Sequence, residues 1–526
     1  MQEKNMDQSS MDADCVRRLT QIGVALSAEK NIDRLLEKIL TEARTITSAD
    51  GGTLYLMSEN EQELQFAFIQ NESMGVNMGG TGEKITWLPV PMAGADGLPN
   101  HANVSAHVAI TREAVNIENV YDASEFNFDG PRAFDQKTGY RTKSMLVVPM
   151  RNHENEIIGV LQMINARDKD RGLVIPFSEK ARDLAWSLAS QAAVALTNNI
   201  LILELQTLLE AFIQTIALAI DEKSPYTGGH VRRVADLTMK IAEAVNACRD
   251  GYYTGTRLSE DEMRELRMAA WLHDVGKITT PDHVVDKATK LETVYDRMGA
   301  IKTRFEVLKR DRLLAACPGR KDPPVSGAGE ADREVRELDD ECRFLSQLNI
   351  GGEFTQDQMI ERIRQIAKRQ WSGGEELRPL LTEDEVYNLS IRRGTLNDEE
   401  REIINNHAAV TRKMLSKLPF PKKLKRISEY AGAHHEKLDG SGYPLGLKGD
   451  ELSLQSRIIA VADIFEALTA KDRPYKKGKM LSEALKIMEM MVRDHHIDGN
   501  LYELFIREKI YMDYAARELA PQQIDV

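Results

Sequence analysis

The chain has few cysteines, no excess of positive charge and no long uninterrupted apolar run. Its four cysteines show no paired spacing of the zinc-ribbon type; they are Cys15, Cys248, Cys317 and Cys342. They are too few and too scattered to cross-link 526 residues, so we expect a reducing, cytoplasmic compartment. The net charge of −13 argues against non-specific binding to nucleic acid polymers or anionic membranes, because both require a basic surface.

Membrane insertion is not expected from the distribution of apolar residues. A membrane-spanning helix needs about 20 consecutive apolar residues, and no stretch reaches that length. The most apolar region, Leu201 to Ile220, is interrupted by four polar side chains, Glu204, Gln206, Glu210 and Gln214. We interpret it as a helical core or a dimer face. The polar tail, residues 1–14, lacks the apolar core of a signal peptide.

The length predicts more than one domain, because single cores seldom grow beyond about 250–300 residues. The pattern over residues 15–197 predicts an α/β domain. Two stretches of helical periodicity precede four apolar strands: Val16–Leu26, Ile32–Ile46, Gly52–Met57, Leu64–Ile69, Ser144–Met150 and Ile157–Ile164. The runs Gly139–Met150 and Gly159–Asn165 resemble the strand pair of GAF domains, a small-ligand sensor fold.

The resemblance to GAF domains is incomplete at the positions tied to cyclic-nucleotide binding. Relatives with that property often carry an Asn-Lys…Phe…Asp-Glu signature. Asn165 and Phe177 match it, whereas Ala166, Ala181 and Arg182 replace the lysine and the acidic pair. The resemblance therefore implies the fold with an unidentified small ligand. A ligand-free role in dimerisation agrees equally well with these residues.

Residues 178–222 predict one long connecting helix, since no proline or glycine interrupts them. Apolar side chains can share one side of it: Leu184, Leu188, Ala192, Ala195, Leu208, Ala211 and Ile216. A helix of this length between two domains is usually paired with its own copy. It is either a dimerisation rod or a signalling helix, and both imply a parallel homodimer.

Residues 221–526 predict an all-α domain with a helical insertion at about 291–396. Two adjacent pairs of ligand-type side chains stand out in it, His273-Asp274 and His434-His435. Burial of such groups costs several kcal/mol unless something compensates for it, and a divalent cation does so directly. His230, His407 and Asp463 are further residues of ligand type, and the sequence therefore predicts a metal-dependent hydrolase.

These blocks, in this order, resemble the HD-GYP family of the HD phosphohydrolases. The matching blocks are His230, His273-Asp274 with Lys277, His407, His434-His435 with Gly442-Tyr443-Pro444, and Asp463 with Arg473-Pro474-Tyr475. The resemblance covers almost the whole region except the insertion. It implies hydrolysis of cyclic di-GMP to linear pGpG or to GMP, a cluster of two or three iron or manganese ions, and contact of the Gly-Tyr-Pro loop with diguanylate cyclases.

The resemblance also implies roles for single residues. One ion would be held by His230, His273, Asp274 and Asp463, and the second by Asp274 as a bridge with His407, His434 and His435. Imidazole and carboxylate ligands suit iron, manganese or zinc better than calcium. Asp274 and Lys277 would be catalytic, and Lys277, Arg473, Lys476 and Tyr443 would line the substrate site. Members with a third ion tend to have glutamate where this chain has Tyr226, so two ions are expected.

Three hypotheses follow. The first is a GAF-regulated cyclic di-GMP phosphodiesterase. The second is a cyclic-dinucleotide-binding or cyclase-docking scaffold with little turnover, in which the insertion covers the pocket. The third keeps the chemistry but changes the cyclic dinucleotide, because the residues do not locate a base pocket. The remaining histidines are expected on the surface or in loops: His101, His107, His153, His283, His495 and His496.

Overall fold

The computed structural model describes residues 17–168, 170–223, 228–315, 328–352, 354–374, 376–470 and 478–526. They form two compact units, one within Met1–Leu208 and the other within Leu209–Val526. The first is the predicted α/β domain and the second is the predicted helical domain, so the expected fold class is confirmed. The polar tail, residues 1–14, lies outside the described residues.

The first unit is built on an eight-stranded sheet. Its elements are α1 (17–28), α2 (Ile32–Thr47), β1 (Ala49–Met57), β2 (Glu63–Asn71), β3 (Val76–Gly79), β4 (Val90–Pro91), α3 (Val104–Thr111), β5 (Val115–Ile117), α4 (Asp129–Thr138), β6 (Met145–Arg151), β7 (Ile157–Arg167) and β8 (Val174–Ile175). The strands follow the order β3-β2-β1-β7-β6-β5, with β4 beside β2 and β8 beside β7. The strand pair that resembles GAF domains is the antiparallel pair β6–β7.

Successive side chains of β6 point to opposite faces of the sheet, so they belong to two different apolar cores. Leu146 and Val148 belong to the core that includes α2 residues such as Leu36. Met145 and Val147 belong to the core on the opposite face. That second core is closed by α3, which the sequence pattern did not predict.

The predicted long helix is α5 (Glu179–Asp221). By length and composition it could cross a membrane, because an 18-residue window has a mean hydropathy of 1.6 and is 11% buried. A single helix that meets these criteria of length and composition is weak support for a membrane span. The charged side chains Glu204 and Glu210 lie within the apolar stretch.

The second unit is helical. Its elements are α6 (His230–Ala247), α7 (Glu260–Leu272), α8 (Asp282–Val285), α9 (Met298–Ala315), α10 (Ala328–Asn349), α11 (Asp357–Ala367), β9 (Gln370–Ser372), β10 (Leu377–Pro379), α12 (Glu383–Leu389), α13 (Asp398–Leu415), α14 (Ile427–Gly432), α15 (Leu454–Thr469), α16 (Leu481–Arg493), α17 (Gly499–Arg507) and α18 (Ile510–Glu518). Short 3-10 turns lie at Val275–Thr279, Lys422–Leu424 and Pro521–Gln523. Helices α6, α7, α14 and α15 share one apolar core, and they carry or precede most of the predicted ligands.

The insertion has an apolar core of its own, which includes Phe305, Leu338 and Ile363. Over its described residues it is a small subdomain of four helices and a two-stranded hairpin, whereas the sequence predicted only helices there. A buried lysine, Lys290, donates hydrogen bonds to Thr355 Oγ1 at 2.8 Å and to the carbonyl of Ile391 at 2.7 Å. Burial lowers the pKa of Lys290 to about 8.

Candidate metal centre

The ends of three helices and the interiors of two others present the predicted ligands. Helix α7 begins with a capping box between Ser259 and Glu262 and ends at Leu272, so that His273 and Asp274 follow its last turn. His230 is the first residue of α6, and His407 lies in the second half of α13. His434 and His435 follow α14, and Asp463 lies within α15.

A glycine allows the turn after His273-Asp274 to lie directly against α13. A Cβ atom on Gly276 would be 2.0 Å from the carbonyl oxygen of His407 and 2.7 Å from the nitrogen of Thr411. The Gly276 N–H donates to Thr411 Oγ1 at 2.9 Å, and the Thr411 hydroxyl donates to the carbonyl of His273 at 3.1 Å. This close approach joins segments more than a hundred residues apart and brings His407 beside Asp274.

The two carboxylate oxygens of Asp274 face different imidazoles. Oδ2 lies 3.4 Å from His230 Nε2 and 3.3 Å from His273 Nε2. Oδ1 lies 3.3 Å from His407 Nε2 and 3.9 Å from His434 Nε2. A carboxylate in this arrangement can bridge two cations, one on each side.

All seven predicted ligands fall into three overlapping groups whose donor atoms lie within 4.8 Å of one another: His230, His273 and Asp463; His407, His434 and His435; and His273, Asp274 and His434. The first two groups correspond to the two ion sites implied by the sequence. The third group overlaps both. The six other histidines belong to none of these groups among the described residues.

Hydrogen bonds on the far side of each ring hold the imidazoles in one orientation. The Nδ1 atoms of His273, His407 and His434 each contact the carbonyl three residues earlier, those of Ala270, Ile404 and Ala431. Such bonds fix the tautomer and leave Nε2 for a metal. The Nε2 atoms of these three histidines and Asp274 Oδ1 are buried without a hydrogen-bond partner among the described residues. The donor set therefore fits divalent cations.

Glu466 supports the fourth imidazole. Its carboxylate contacts His230 Nδ1 and also accepts from Arg233, with Nη2 at 2.7 Å and Nε at 2.8 Å. Glu466 is fully buried. No role for Glu466 was predicted from the sequence. Its position three residues after Asp463 on α15 puts both carboxylates on one helix face, which is the signal that could have revealed this role.

The pKa shifts of the histidines differ between the group of His407, His434 and His435 and the group of His230, His273 and Asp463. Burial lowers the pKa of His435 to about 4, and burial with the neighbouring His435 and His273 lowers the pKa of His434 well below its usual range. Both rings are therefore neutral, as metal ligands must be. Burial opposes the charge on His230, but Glu466, Asp274 and Asp463 outweigh it and raise the pKa of that imidazole.

The pKa values of Asp274 and Asp463 are both lowered. Burial disfavours their ionised forms. Lys277 and His273 outweigh it at Asp274, and His230 with His273 outweighs it at Asp463, so both pKa values fall below the usual range. Both aspartates are therefore ionised in the folded chain at neutral pH, as ligands to a cation should be.

The predicted substrate residues are only partly within the described chain. The ammonium group of Lys277 donates to the carboxylate of Asp274. The ring of Tyr443 lies 4.8 Å from that of His435, measured between centroids. Arg473 and Lys476 lie outside the described residues, as does Tyr226, on which the expectation of two ions rested.

The buried Glu436 holds the turn that carries Tyr443. Its carboxylate accepts from the backbone N–H of Leu445 at 2.7 Å and of Leu447 at 3.0 Å. A Cβ atom on Gly442 would lie 2.4 Å from the nitrogen of Lys437, so this turn packs too closely for any side chain. The sequence comparison did not identify Glu436 as a support of the site.

Comparison with known families agrees with the two units. Residues 31–196 match the GAF domain family, and residues 227–344 and 383–501 each match an HD domain family. The chain carries a GAF domain and an HD domain. The resemblance to GAF and HD-GYP proteins stated from the sequence is confirmed. Residues 345–382, between the two HD matches, fall within the predicted insertion.

Curated relatives match this chain over short segments. The 3'3'-cGAMP-specific phosphodiesterase 3 of Vibrio cholerae is 52% identical over 97 residues, which cover 18% of this chain and 20% of that protein. The 3'3'-cGAMP-specific phosphodiesterase 1 of the same organism is 41% identical over 114 residues, covering 22% and 26%. A cyclic di-GMP phosphodiesterase of Thermotoga maritima is 39% identical over 136 residues, covering 25% and 35%. The matches thus span about a third or less of these relatives.

Proposed function

We propose that this protein is a metal-dependent phosphodiesterase that hydrolyses cyclic di-GMP to linear pGpG or to GMP. The observation that carries the proposal is the convergence of seven imidazole and carboxylate side chains, four of whose donor atoms are buried without a hydrogen-bond partner in the described part of the chain. The names of the relatives support the substrate class, since they act on cyclic di-GMP or on 3'3'-cGAMP.

Two iron or manganese ions suit the donor set. His230, His273 and Asp463 would hold one ion with an oxygen of Asp274, and His407, His434 and His435 would hold the other with its second oxygen. When bound, such ions supply charge stabilisation at the phosphoryl group and a nucleophilic water at neutral pH. Lys277, whose ammonium group already contacts Asp274, would donate a hydrogen bond to the scissile phosphate.

The decisive experiment combines metal analysis with product identification. Protein purified without oxygen should contain about two Fe or Mn ions per chain and should convert cyclic di-GMP to pGpG or GMP. Chelation should abolish turnover, and adding back Mn²⁺ should restore it. Tight binding of cyclic di-GMP by fully loaded protein without any product would instead support the scaffold hypothesis. Turnover of 3'3'-cGAMP alone would support the change of substrate.

We propose that the chain acts as a parallel homodimer paired through α5, with the GAF domain regulating turnover in the cytoplasm. Four exposed apolar side chains, which we call the α5 seam, are spaced by four, three and four residues: Leu201, Leu205, Leu208 and Phe212. Leu205, Leu208 and Phe212 are 64%, 65% and 61% exposed. This is the spacing of a two-stranded coiled coil, which buries such a stripe against its copy. A diguanylate cyclase is a further proposed partner.

Charges on the α5 seam should dissociate the dimer. The double change Leu205→Glu and Leu208→Glu puts like charges opposite each other in the paired helices, so we expect a monomer by light scattering at micromolar concentration. Thr207→Glu, an exposed position on the same helix but off the seam, should leave the dimer intact. A wild-type chain that is monomeric, or a double variant that stays dimeric, would contradict pairing through this seam.

A further inference from the structure

A groove lies next to the histidine cluster, and none of the roles proposed above involves it. It encloses about 450 Å³ between one face of α13 and the turn that carries Tyr443. Side chains that line it include Arg401, Glu402, Asn405, Asn406, Tyr443 and Pro444. Its volume lies within the roughly 300–1,000 Å³ that is typical of small-molecule sites.

The groove begins where the proposed ion sites end. Tyr443 forms part of its wall and also lies against His435, with ring centroids 4.8 Å apart. On the other wall, Asn406 directly precedes His407. Glu402 lies five residues before His407, which is about 7.5 Å along the helix axis.

The chemistry of the groove suits a base rather than a phosphate. Two carboxylates, Asp398 and Glu402, line it together with one guanidinium, Arg401, whose Nη2 already donates to the carbonyls of Arg393 and Leu396. Both carboxylates would repel a phosphodiester. The side chains of Glu402, Asn405 and Asn406 have no hydrogen-bond or ion-pair partner among the described residues. Their donors and acceptors are therefore available to a ligand. The ring of Tyr443 adds an aromatic surface on which a base can stack.

A carboxylate such as that of Glu402 can distinguish guanine from adenine by charge and hydrogen bonding. A carboxylate accepts hydrogen bonds only, and guanine presents two N–H donors on its Watson–Crick edge, at N1 and at the exocyclic amine. Adenine presents an unprotonated N1 at the same place, which faces the carboxylate as a second acceptor. The amides of Asn405 and Asn406 both donate and accept, so they can serve either base.

We propose that this groove is the subsite for one guanine of the cyclic dinucleotide and that Glu402 sets the preference for guanine over adenine there. The proposal rests on the phosphodiesterase function proposed above. A subsite of this kind accepts cyclic di-GMP and 3'3'-cGAMP, which each contain guanine, and disfavours cyclic di-AMP.

The test is a binding measurement on the full-length, manganese-loaded protein with linear pGpG and pApA as probes. Wild-type protein should bind pGpG at least about tenfold more tightly than pApA, the factor expected for one hydrogen bond to a charged group. Glu402→Gln and Glu402→Ala should each lower this ratio by about tenfold. Glu402 is exposed, so neither change should disturb folding.

Glu399→Gln is the matched control. Glu399 lies on the same helix, but its carboxylate accepts from the Tyr387 hydroxyl at 2.8 Å, and it does not line the groove. This variant should keep the wild-type ratio. Equal affinities for the two probes in wild-type protein, or a guanine preference that survives in both Glu402 variants, would overturn the proposal.

Turnover of cyclic di-GMP, 3'3'-cGAMP and cyclic di-AMP is measured separately, so that the two proposals can fail independently. A guanine preference in binding that depends on Glu402, with no turnover of any cyclic dinucleotide, would support the subsite and overturn the phosphodiesterase function. Turnover with no base preference, or with a base preference that does not depend on Glu402, would support the phosphodiesterase function and overturn the guanine subsite.

Discussion

Replacing Asp274 with asparagine is expected to remove bound metal and to lower turnover of cyclic di-GMP by at least about a thousandfold. The Asp274 carboxylate faces imidazoles on both sides, with Oδ2 at 3.3 Å from His273 Nε2 and Oδ1 at 3.3 Å from His407 Nε2. Asparagine keeps the shape but offers one oxygen and no charge. An amide therefore cannot bridge two cations.

Two measurements separate the loss of metal from the loss of fold. Elemental analysis should find less than about one ion per Asp274→Asn chain, against about two in the wild type, while circular dichroism stays unchanged. Asp261→Asn is the control, because Asp261 is exposed and pairs with Lys423 at the surface. A variant at Asp274 that retains both ions and full turnover would refute the bridging role.

Gly276→Ala is the second change with a large expected effect. The new Cβ atom would lie 2.0 Å from the His407 carbonyl oxygen, which real contacts do not tolerate, so α13 must move away. Overpacking of this kind costs about 3 kcal/mol in the free energy of unfolding. The shift also carries His407 away from Asp274, and a displacement of about 1 Å at a catalytic site can lower turnover about a hundredfold.

Urea denaturation and turnover of the Gly276→Ala variant test this expectation together. Gly299→Ala is the matched control, because Gly299 lies in α9 and a Cβ atom there would meet no atom within 4 Å. Alanine at this helical position should be neutral, or stabilising by up to about 1 kcal/mol. If Gly276→Ala were as stable and active as the Gly299→Ala protein, the close approach of the turn to α13 would not hold.

Local sequence signals predicted the elements that depend on neighbouring residues. The period of apolar residues predicted α2 and the strands β6 and β7, and the lack of proline and glycine predicted α5. The same signals missed α3, because a short helix whose ends are set by packing leaves little periodicity.

The supports of the site were harder to find than its ligands. Thr411 and Glu436 act through hydrogen bonds to distant backbone groups, so no local pattern marks them. Glu466 lies one helical turn from Asp463 and could have been found by its shared helix face. The groove beside α13 is invisible in the sequence, since its second wall comes from a turn that begins some thirty residues later.

The sequence by itself determined the two domain types and which side chains have the chemistry of metal ligands, because residue type and order along the chain carry that information. Only the tertiary structure decided that Asp274 presents one oxygen to each side, that the imidazoles are held by their far nitrogens, and that a groove adjoins them. These features depend on how helices from distant parts of the chain pack, and packing is a property of side-chain volumes in three dimensions rather than of spacing.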